Sequence, residues 1–351
     1  MFEATQNVLQ QAIETHMIHG FAITVGRKDQ ILFRGAGGKL GGMESPLATE
    51  KTRYDLDALT QVMVTVPLFL LAMENGKMSL EDTLSFYIKT TSDKRMITIR
   101  QLLTHTGGMA AHFLLEQDAE DAEDALRVLL ERPLRAPGRK RVHYSGMGFL
   151  LLGKLLEQVY GMPLDAAAKK YVFVPLGLSH TGYLPTGGDI AFTNADSITG
   201  EPRTGMPDEE NTRFMHGVSG RAGVFSDASD CSRFLAMLAS GGKVGGQMFL
   251  TPESVRLMTT NHTPQYKEAW GLGVRLADTA GSFLGDLWPA TGYGQVGATG
   301  SAWAVDPSSG VYVALLSGRV QMAHESRAFH RFLRTVWNSA YTQVLRMEEM
   351  V

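Results

Sequence analysis

Hydrophobic periodicity changes twice along this chain, and these changes constrain the fold more than any other feature of the sequence. Strand-like runs occur only near the two ends, and helical periodicity dominates between them. Helices are predicted over 4–18, 57–75, 98–107, 146–161, 227–240, 252–260 and 324–347, and strands at Phe21-AITVG, Ile31-LFRGAG, Trp270-GLGVRL, Gly300-SAWAVD and Val311-YVALLSG. Pro67 predicts a kink or break in the second helix.

This order of elements predicts an α/β fold of the α+β sandwich kind. We expect an antiparallel sheet flanked by the N-terminal and C-terminal helices, with an inserted α subdomain beside it. The sheet subdomain is predicted over 1–55 and 245–351, and the mainly helical subdomain over 56–244, within a single unit. Residues 183–222 lack periodicity, and so long a loop is typical of a segment that lines a site.

The charge balance narrows the choice of partner. The formal net charge is −3 with no run of like charges, which argues against nucleic acid and points to a small molecule or a protein. The most apolar stretch, 62–73, is too short to span a bilayer, so no membrane partner is expected. The N-terminus lacks the pattern of a signal peptide, which predicts a cytoplasmic location. The oligomeric state does not follow from the sequence.

Neither a metal nor a cofactor is predicted. Cys231 is the single cysteine and falls in a helical pattern, which indicates a buried structural thiol. The histidines are scattered, without the spacing of a metal site. Gly292-YGQVG fits a dinucleotide-binding pattern, but a strand follows it and position 317 is serine, where an acid would be needed.

Three segments in fixed order carry the strongest signal: Tyr54-DLDALTQVMVTVPLFLL, His143-YSGMGFLLLGKLLEQVYG and Gln295-VGATGSAWAVDP. With scaffold segments between them, they resemble the serine β-lactamase and penicillin-binding-protein superfamily, especially its class C β-lactamase and esterase-like branch. The resemblance covers roughly residues 5–335. It implies a β-lactamase-like fold with the site between the sheet and the helical subdomain.

The resemblance also implies that the catalytic motifs have changed. The family's S-x-x-K, in which the serine is acylated and the lysine helps to deprotonate it, aligns with Ala58 and Gln61. Its Y-x-N aligns with Tyr144, Ser145 and Gly146, and its K-T-G with Gln295, Val296 and Gly297. We therefore expect no acyl-enzyme and no penicillin hydrolysis.

Several groups of the implied site remain. The backbone N–H groups of the family's oxyanion hole map onto Ala58 and Ala298, beside the amides of Gln61 and Gln295. Tyr144 is predicted to act as an acid or hydrogen-bond donor, or else to be structural. Replacement bases are His143, His216 or the segment Asp208-EEN, although a solvated loop or helix cap is the favoured interpretation of that segment. His105 is expected to be structural, and Arg221 to serve packing or an ion pair.

Three functional hypotheses follow. The first is a non-hydrolytic enzyme of the isomerase, lyase or cyclase type, acting by non-covalent acid-base chemistry on a carbonyl-containing small molecule, for instance in natural-product biosynthesis. The second is a catalytically inactive pseudoenzyme that binds a ligand or protein. The third is an esterase- or peptidase-like hydrolase with a relocated nucleophile, for which Thr60, Thr65, Ser145 and Ser301 are the candidates; each hydroxyl more readily satisfies a neighbouring backbone group.

Overall fold

The main sheet has six antiparallel strands. The computed structural model describes residues 2–42, 44–90, 93–135, 141–195, 201–277, 282–319 and 326–348. In order across the sheet, the strands are Arg275–Leu276, Tyr293–Val296, Ala302–Asp306, Val311–Gly318, Gly20–Arg27 and Gln30–Gly38. Shorter strands are Tyr54–Asp55, Gly182–Tyr183, Phe192–Ala195, Pro202–Thr204, Val224–Ser226, Lys243–Val244 and Gln247–Met248.

The first predicted hairpin and the two long C-terminal strands form the centre of this sheet. Gly20–Arg27 pairs with Val311–Gly318 over eight residues, which brings the two ends of the chain together. The strand Tyr293–Val296 was not predicted, because its glycine-containing sequence lacks alternation. The predicted strand over 270–276 is a strand only at Arg275–Leu276.

The terminal helices pack against each other on one face of the sheet, as predicted. Helix Glu3–Glu14 contacts helix Ser326–Glu348, and Thr5 Oγ1 lies 3.0 Å from Ser339 Oγ. The first helix ends four residues before its predicted end, since His16 adopts a left-handed φ of 56° that no α-helix continues. Beneath these helices lies an apolar core with Trp337 at its centre.

The opposite face of the sheet carries the helical part of the chain. Its helices are Val66–Glu74, Leu84–Tyr87, Ile99–Leu103, Leu115–Gln117, Ala125–Glu131, Gly146–Tyr160, Leu164–Ala168, Val174–Leu176, Glu210–Phe214, Ala228–Ala239 and Pro252–Thr259, with π-helical turns at Gln61–Thr65 and Lys169–Phe173. The predicted capping box at Thr98 is present, with Gln101 as its partner. That helix ends at Leu103, earlier than predicted, because His105 is left-handed (φ 56°).

The helix after Asp57 is buried along almost its whole length and runs through the molecule. It starts at 59, passes through the π turn Gln61–Thr65 and continues as Val66–Glu74. Proline lacks an N–H group, so Pro67 at the end of the π turn is accommodated where the hydrogen-bond ladder changes. The predicted break is therefore a π turn, and the helix stays continuous. We refer to 59–74 as the central helix.

The segment 183–222, predicted to be irregular, contains short strands and the helix Glu210–Phe214. Cys231 is buried, as expected of a structural thiol, and burial raises its pKa. Among the described residues, we find no helix with the length and apolarity needed to cross a bilayer.

Candidate functional site

The site begins at the turn that leads into the central helix. Asp57 has a φ of 44°, in the left-handed region that non-glycine residues rarely adopt. Its N–H donates to Asp55 Oδ1 at 2.9 Å, which holds the turn. Strain of this kind is typical of functional sites. The turn places Ala58 at the start of the central helix, where its carbonyl accepts the Gln61 N–H at 3.1 Å.

Gln61 and Tyr144 contact each other directly, as the aligned motifs imply. Gln61 is fully buried and donates from Nε2 to the Tyr144 hydroxyl at 2.8 Å. Its Oε1 has no hydrogen-bond partner among the described residues. A buried amide oxygen without a donor is costly, so this atom would be stabilised by an internal water.

Tyr144 packs among aromatic side chains. Its ring centroid lies 4.4 Å from that of His105 and 5.9 Å from that of Trp270. Burial and, to a smaller extent, the Asp57 carboxylate raise the pKa of Tyr144 to about 12. The phenol therefore keeps its proton at neutral pH, which makes it a hydrogen-bond donor and acceptor and a poor base.

The edge of the main sheet meets Asp57. The Ala298 N–H donates to Asp57 Oδ2 at 2.6 Å, and the Ala58 N–H acts on the same carboxylate. A Cβ at Gly297 would lie 2.8 Å from the Leu56 carbonyl oxygen, so only glycine permits this approach. Burial raises the pKa of Asp57, while Arg221 and the two N–H groups oppose the shift. Sequence analysis treated Asp57 only as a helix start.

Arg221 occupies the space that the glycine of the second motif leaves open. A Cβ at Gly146 would overlap the Arg221 guanidinium. Arg221 Nη1 lies 3.4 Å from Glu209 Oε1 and 3.5 Å from His112 Nδ1. The expected ion pair of Arg221 is present, but sequence analysis did not assign this residue to the site. The signal available was the coincidence of a glycine at 146 and an arginine at 221 in place of the family's residues.

Glu209 has two roles in the structure. It is buried and accepts the Thr212 N–H at 2.8 Å and its hydroxyl at 2.7 Å, so it caps the helix Glu210–Phe214. It also borders the cleft beside Arg221. The helix-cap interpretation of the segment Asp208-EEN is therefore confirmed for Glu209, and its role as a replacement base stays a prediction. We refer to Asp57, Tyr144, Glu209 and Arg221 as the cleft cluster.

Asp57, Glu209 and Arg221 line a cleft of about 700 Å³, whereas Tyr144 and Gln61 lie outside its lining. The lining is strongly polar and consists of Asp57, His112, Leu114, Glu116, Asn194, Arg203, Asp208, Glu209, Glu210, Arg213, Phe214, Arg221 and Ala298. A cleft of this size accommodates a small molecule or a short peptide. His216, a candidate base, is not part of the lining.

Gln295 does not contribute its side chain to the cleft, contrary to expectation. Its Nε2 donates to the Gly273 carbonyl at 2.8 Å, and its Oε1 accepts the Val296 N–H at 3.0 Å. The residue is buried, and a buried amide must satisfy both ends. Nearby backbone groups satisfy both ends of the Gln295 amide, so this side chain stabilises the sheet and does not line the cleft.

Ser145 is likewise committed to structure. Its hydroxyl donates to the Ala110 carbonyl at 2.5 Å and accepts the Gly148 N–H at 3.1 Å, which caps the helix Gly146–Tyr160. The other candidate nucleophiles behave alike: Ser301 donates to the Asp55 carbonyl, Thr65 to the Gly220 carbonyl, and Thr60 accepts the Val224 N–H. Each nominated hydroxyl therefore satisfies the backbone.

The two histidines near Tyr144 are not placed as bases. His105 Nδ1 accepts the Ser145 N–H at 3.2 Å, and burial lowers the pKa of His105 to about 3, so it is neutral and structural. His143 Nε2 is buried without a hydrogen-bond partner among the described residues. His143 is not among the groups that shift the pKa of Asp57 or Tyr144.

A second group of titratable side chains lies outside the cleft. His180, Asp227 and Asp230 each offer one atom with metal-ligand chemistry, and these atoms lie within 4.8 Å of one another. Their hydrogen bonds explain the arrangement: Asp227 caps the helix Ala228–Ala239 and accepts His180 Nδ1 at 2.7 Å. We refer to these three residues as the His180 cluster.

The fold and the cleft together define a class of protein. A sheet covered by paired terminal helices, with a cleft at the start of a buried central helix, is the architecture of the serine β-lactamases and penicillin-binding proteins. The chain belongs to the Beta-lactamase family, which it matches over residues 5–334. Members of this family are hydrolytic enzymes.

Individual relatives agree with this assignment. A protein of Escherichia coli K12 named "Putative D-alanyl-D-alanine carboxypeptidase" is 30% identical over 335 residues, covering 84% of this chain and 76% of that protein. The structure of EstCE1, a hydrolase with promiscuous acyltransferase activity, superimposes with a TM-score of 0.79 at 24% identity, covering 97% and 98% of the two chains. A class C β-lactamase from Rhodobacter sphaeroides gives 0.75 at 19% identity, covering 97% and 99%. These two structures support the fold.

The predicted isomerase, lyase or cyclase activity is wrong. The relatives are named for a hydrolytic reaction, and nothing among them points to isomerase or lyase chemistry. The error came from reading Gln61 and Gln295 as polar groups retained for catalysis. Gln295 is polar because its amide bonds the Gly273 carbonyl and the Val296 N–H inside the sheet.

Proposed function

We propose that this chain is a non-acylating member of the family, which binds a peptide ligand in the cleft and forms no acyl-enzyme. The contact between Gln61 and Tyr144 carries the proposal. An amide neither gains nor loses a proton near neutral pH, and Tyr144, with a pKa of about 12, holds its own. The pair therefore has no base with which to activate a nucleophile.

The absence of a nucleophile at the head of the central helix supports the same conclusion. Ala58 carries a methyl group there, one helical turn before Gln61. The serine and threonine hydroxyls nominated as substitutes donate to or accept from backbone groups. A hydroxyl held in this way would have to break its hydrogen bond before it could attack a carbonyl.

Retention of an accessible polar cleft supports binding. Tyr144 lies outside the lining of the cleft, but 37% of its surface is exposed, and we expect a ligand that fills the cleft to extend to it. The carboxypeptidase relatives indicate the class of ligand, a peptide of the D-alanyl-D-alanine type.

The test has two readouts on the wild-type protein. The first is intact mass after incubation with a fluorescent penicillin, a fluorophosphonate and nitrophenyl acetate. The second is calorimetric binding of D-alanyl-D-alanine, with chromatographic detection of released D-alanine. We expect no gain in mass, no release of D-alanine and saturable binding. Tyr144→Ala should weaken that binding at least tenfold, or by about 1.4 kcal/mol.

Ser301→Ala is the matched control, because the Ser301 hydroxyl is fully buried and donates to the Asp55 carbonyl. It should match the wild type in both readouts. A covalent adduct on the wild type, or catalytic release of D-alanine, would refute the non-acylating proposal. Failure of D-alanyl-D-alanine to saturate the protein at millimolar concentration would refute the binding proposal.

A further inference from the structure

The Ala298 N–H lies at the base of the cleft, and the Asp57 side chain already accepts it. The Ala298 N–H donates to Asp57 Oδ2 at 2.6 Å, and the Ala58 N–H contributes to the same carboxylate. Convergent backbone N–H groups are a general site for an anion or a polarised carbonyl oxygen. Any ligand atom that sought these donors would have to displace Asp57.

From this geometry we infer that Asp57 is an internal ligand of the cleft, which occupies the N–H pair of Ala58 and Ala298 and directs the cleft toward ligands that present an ammonium or N–H donor. The inference rests on the proposed binding function and names the chemistry of its ligand. A carboxyl oxygen that has accepted backbone N–H groups still has lone pairs free for a donor from the ligand.

The position of Asp57 is over-determined by its surroundings. Its own N–H is held by Asp55 Oδ1, and Gly297 allows the sheet edge to approach without a side chain. Only 7% of Asp57 is exposed, and its φ of 44° is a strained conformation for this residue type. Strain persists only where neighbouring contacts impose it. The hydrogen bonds of Asp57 to Asp55 and Ala298 thus hold its carboxyl group at the base of the cleft when no ligand is bound.

The rest of the cleft favours a cation in the same way. Its lining includes five carboxylates and three guanidinium groups: Asp57, Glu116, Asp208, Glu209 and Glu210 against Arg203, Arg213 and Arg221. The guanidinium groups are engaged by the protein itself. Arg213 donates to the Pro207 and Asp208 carbonyls, Arg203 donates to the Asn194 carbonyl, and Arg221 faces Glu209.

Among the carboxylates, Asp208 and Glu209 are likewise engaged, since they accept the Asn194 and Thr212 N–H groups. Glu116 and Glu210 are both exposed, and both belong to the lining of the cleft. An excess of carboxylates in a cleft raises the local concentration of cations and repels anions. The entrance and the base of the cleft therefore select for the same charge, and the preferred peptide would bind through its ammonium end.

Two modified dipeptides separate the charges. D-alanyl-D-alanine amide keeps the ammonium and lacks the carboxylate, whereas N-acetyl-D-alanyl-D-alanine keeps the carboxylate and lacks the ammonium. Calorimetry should show that the wild type binds D-alanyl-D-alanine amide at least tenfold more tightly than N-acetyl-D-alanyl-D-alanine. Glycine adopts a positive φ readily, and Asp57→Gly leaves the Ala58 and Ala298 N–H groups without the carboxylate. This variant should therefore bind the N-acetyl peptide more tightly than the peptide amide. Asp57→Asn, which keeps the shape without the charge, should lower the ratio without reversing it.

A wild type that prefers the N-acetyl peptide, or an Asp57→Gly variant that keeps the wild-type order, would overturn the inference. Hydrogen exchange of the Ala298 amide tests it without any peptide. Exchange should be at least a hundredfold faster in Asp57→Gly than in Asp57→Asn, because only the glycine variant lacks an acceptor. Equal exchange rates of the Ala298 amide in both variants would refute the claim that Asp57 occupies this N–H group, even if a peptide binds. Failure of both peptides to bind would refute only the proposed binding function.

Discussion

Two groups of charged side chains lie at opposite ends of one short strand, Val224–Ser226. The cleft cluster includes Arg221, just before this strand, and the His180 cluster includes Asp227, just after it. Both contain buried carboxylates, and both link distant parts of the chain. Their hydrogen bonding differs.

The His180 cluster is saturated. Asp227 accepts the Asp230 N–H at 2.8 Å and His180 Nδ1 at 2.7 Å, and Asp230 accepts the His180 N–H at 2.7 Å. Around the cleft cluster, by contrast, Gln61 Oε1 has no partner among the described residues and Asp57 is strained. Unsatisfied polar atoms and strain are typical of binding sites, whereas saturation is typical of structural caps.

The largest expected effect is a change of stability with pH, and it concerns Asp55, which accepts the Asp57 N–H beside the cleft cluster. Burial and the neighbouring Asp57 raise the pKa of Asp55 to about 8. A carboxyl whose folded pKa is raised stabilises the fold below its unfolded pKa of about 4, and this stability is lost as pH rises to about 8. Urea unfolding of the wild type should lose several kcal/mol over this range, at about 1.4 kcal/mol per pKa unit. Asp55→Asn should show a flatter curve; parallel curves would contradict the burial of a costly charge beside the cleft.

In the His180 cluster we expect a loss of stability without a loss of function. Asp227→Ala removes the helix cap and the partner of His180, and should lower the free energy of unfolding by about 2–3 kcal/mol. Ser229→Ala, at an exposed position of the same helix, should change it by less than about 0.5 kcal/mol. Weakened binding of D-alanyl-D-alanine in a folded Asp227→Ala protein would break the distinction between the two clusters.

Steric coupling between Gly146 and Arg221 of the cleft cluster should be measurable. Gly146→Ala should destabilise the protein by about 1–3 kcal/mol, because the new Cβ overlaps Arg221. Arg221→Ala in the same protein should recover at least about 1 kcal/mol of that loss, read as the coupling term of a double-mutant cycle. The control is Gly148→Ala, whose Cβ would have its nearest neighbour at 3.6 Å. Strict additivity of the two substitutions would place Arg221 away from Gly146.

The smallest expected effect has the opposite sign. Asp57→Asn should stabilise the protein by about 1 kcal/mol at pH 7, since it removes a buried charge and asparagine tolerates positive φ. Because the folded pKa of Asp57 is raised, the gain should disappear below about pH 4, where the carboxyl is protonated in both states. Thermal unfolding at pH 3.5 and 7 measures both values. A loss of stability at pH 7 would show that Asp57 serves structure, like Asp227.

The elements predicted correctly are those with a local physical cause. The hairpin follows from two short apolar runs joined by a polar turn, the terminal helices from helical periodicity, and the Thr98 cap from its spacing to Gln101. The unpredicted strand Tyr293–Val296 contains a glycine and lacks alternation, so only its neighbours in the sheet impose its conformation. Local signals also place the ends of the helices Glu3–Glu14 and Ile99–Leu103 too late, because the left-handed conformations of His16 and His105 leave no pattern in the sequence.

The sequence by itself determined the family, the long helices and central strands, and the chemical groups at Ala58, Gln61 and Tyr144, because these depend on residue identity and spacing alone. Only the tertiary structure decided that Asp57 lies on the Ala298 N–H and that Arg221 fills the space above Gly146. These contacts join residues 75 to 241 positions apart, and each depends on a backbone angle or a missing Cβ. Hydrophobic periodicity carries no information about such contacts, since it reports which face of an element is buried and not which polar atoms meet there.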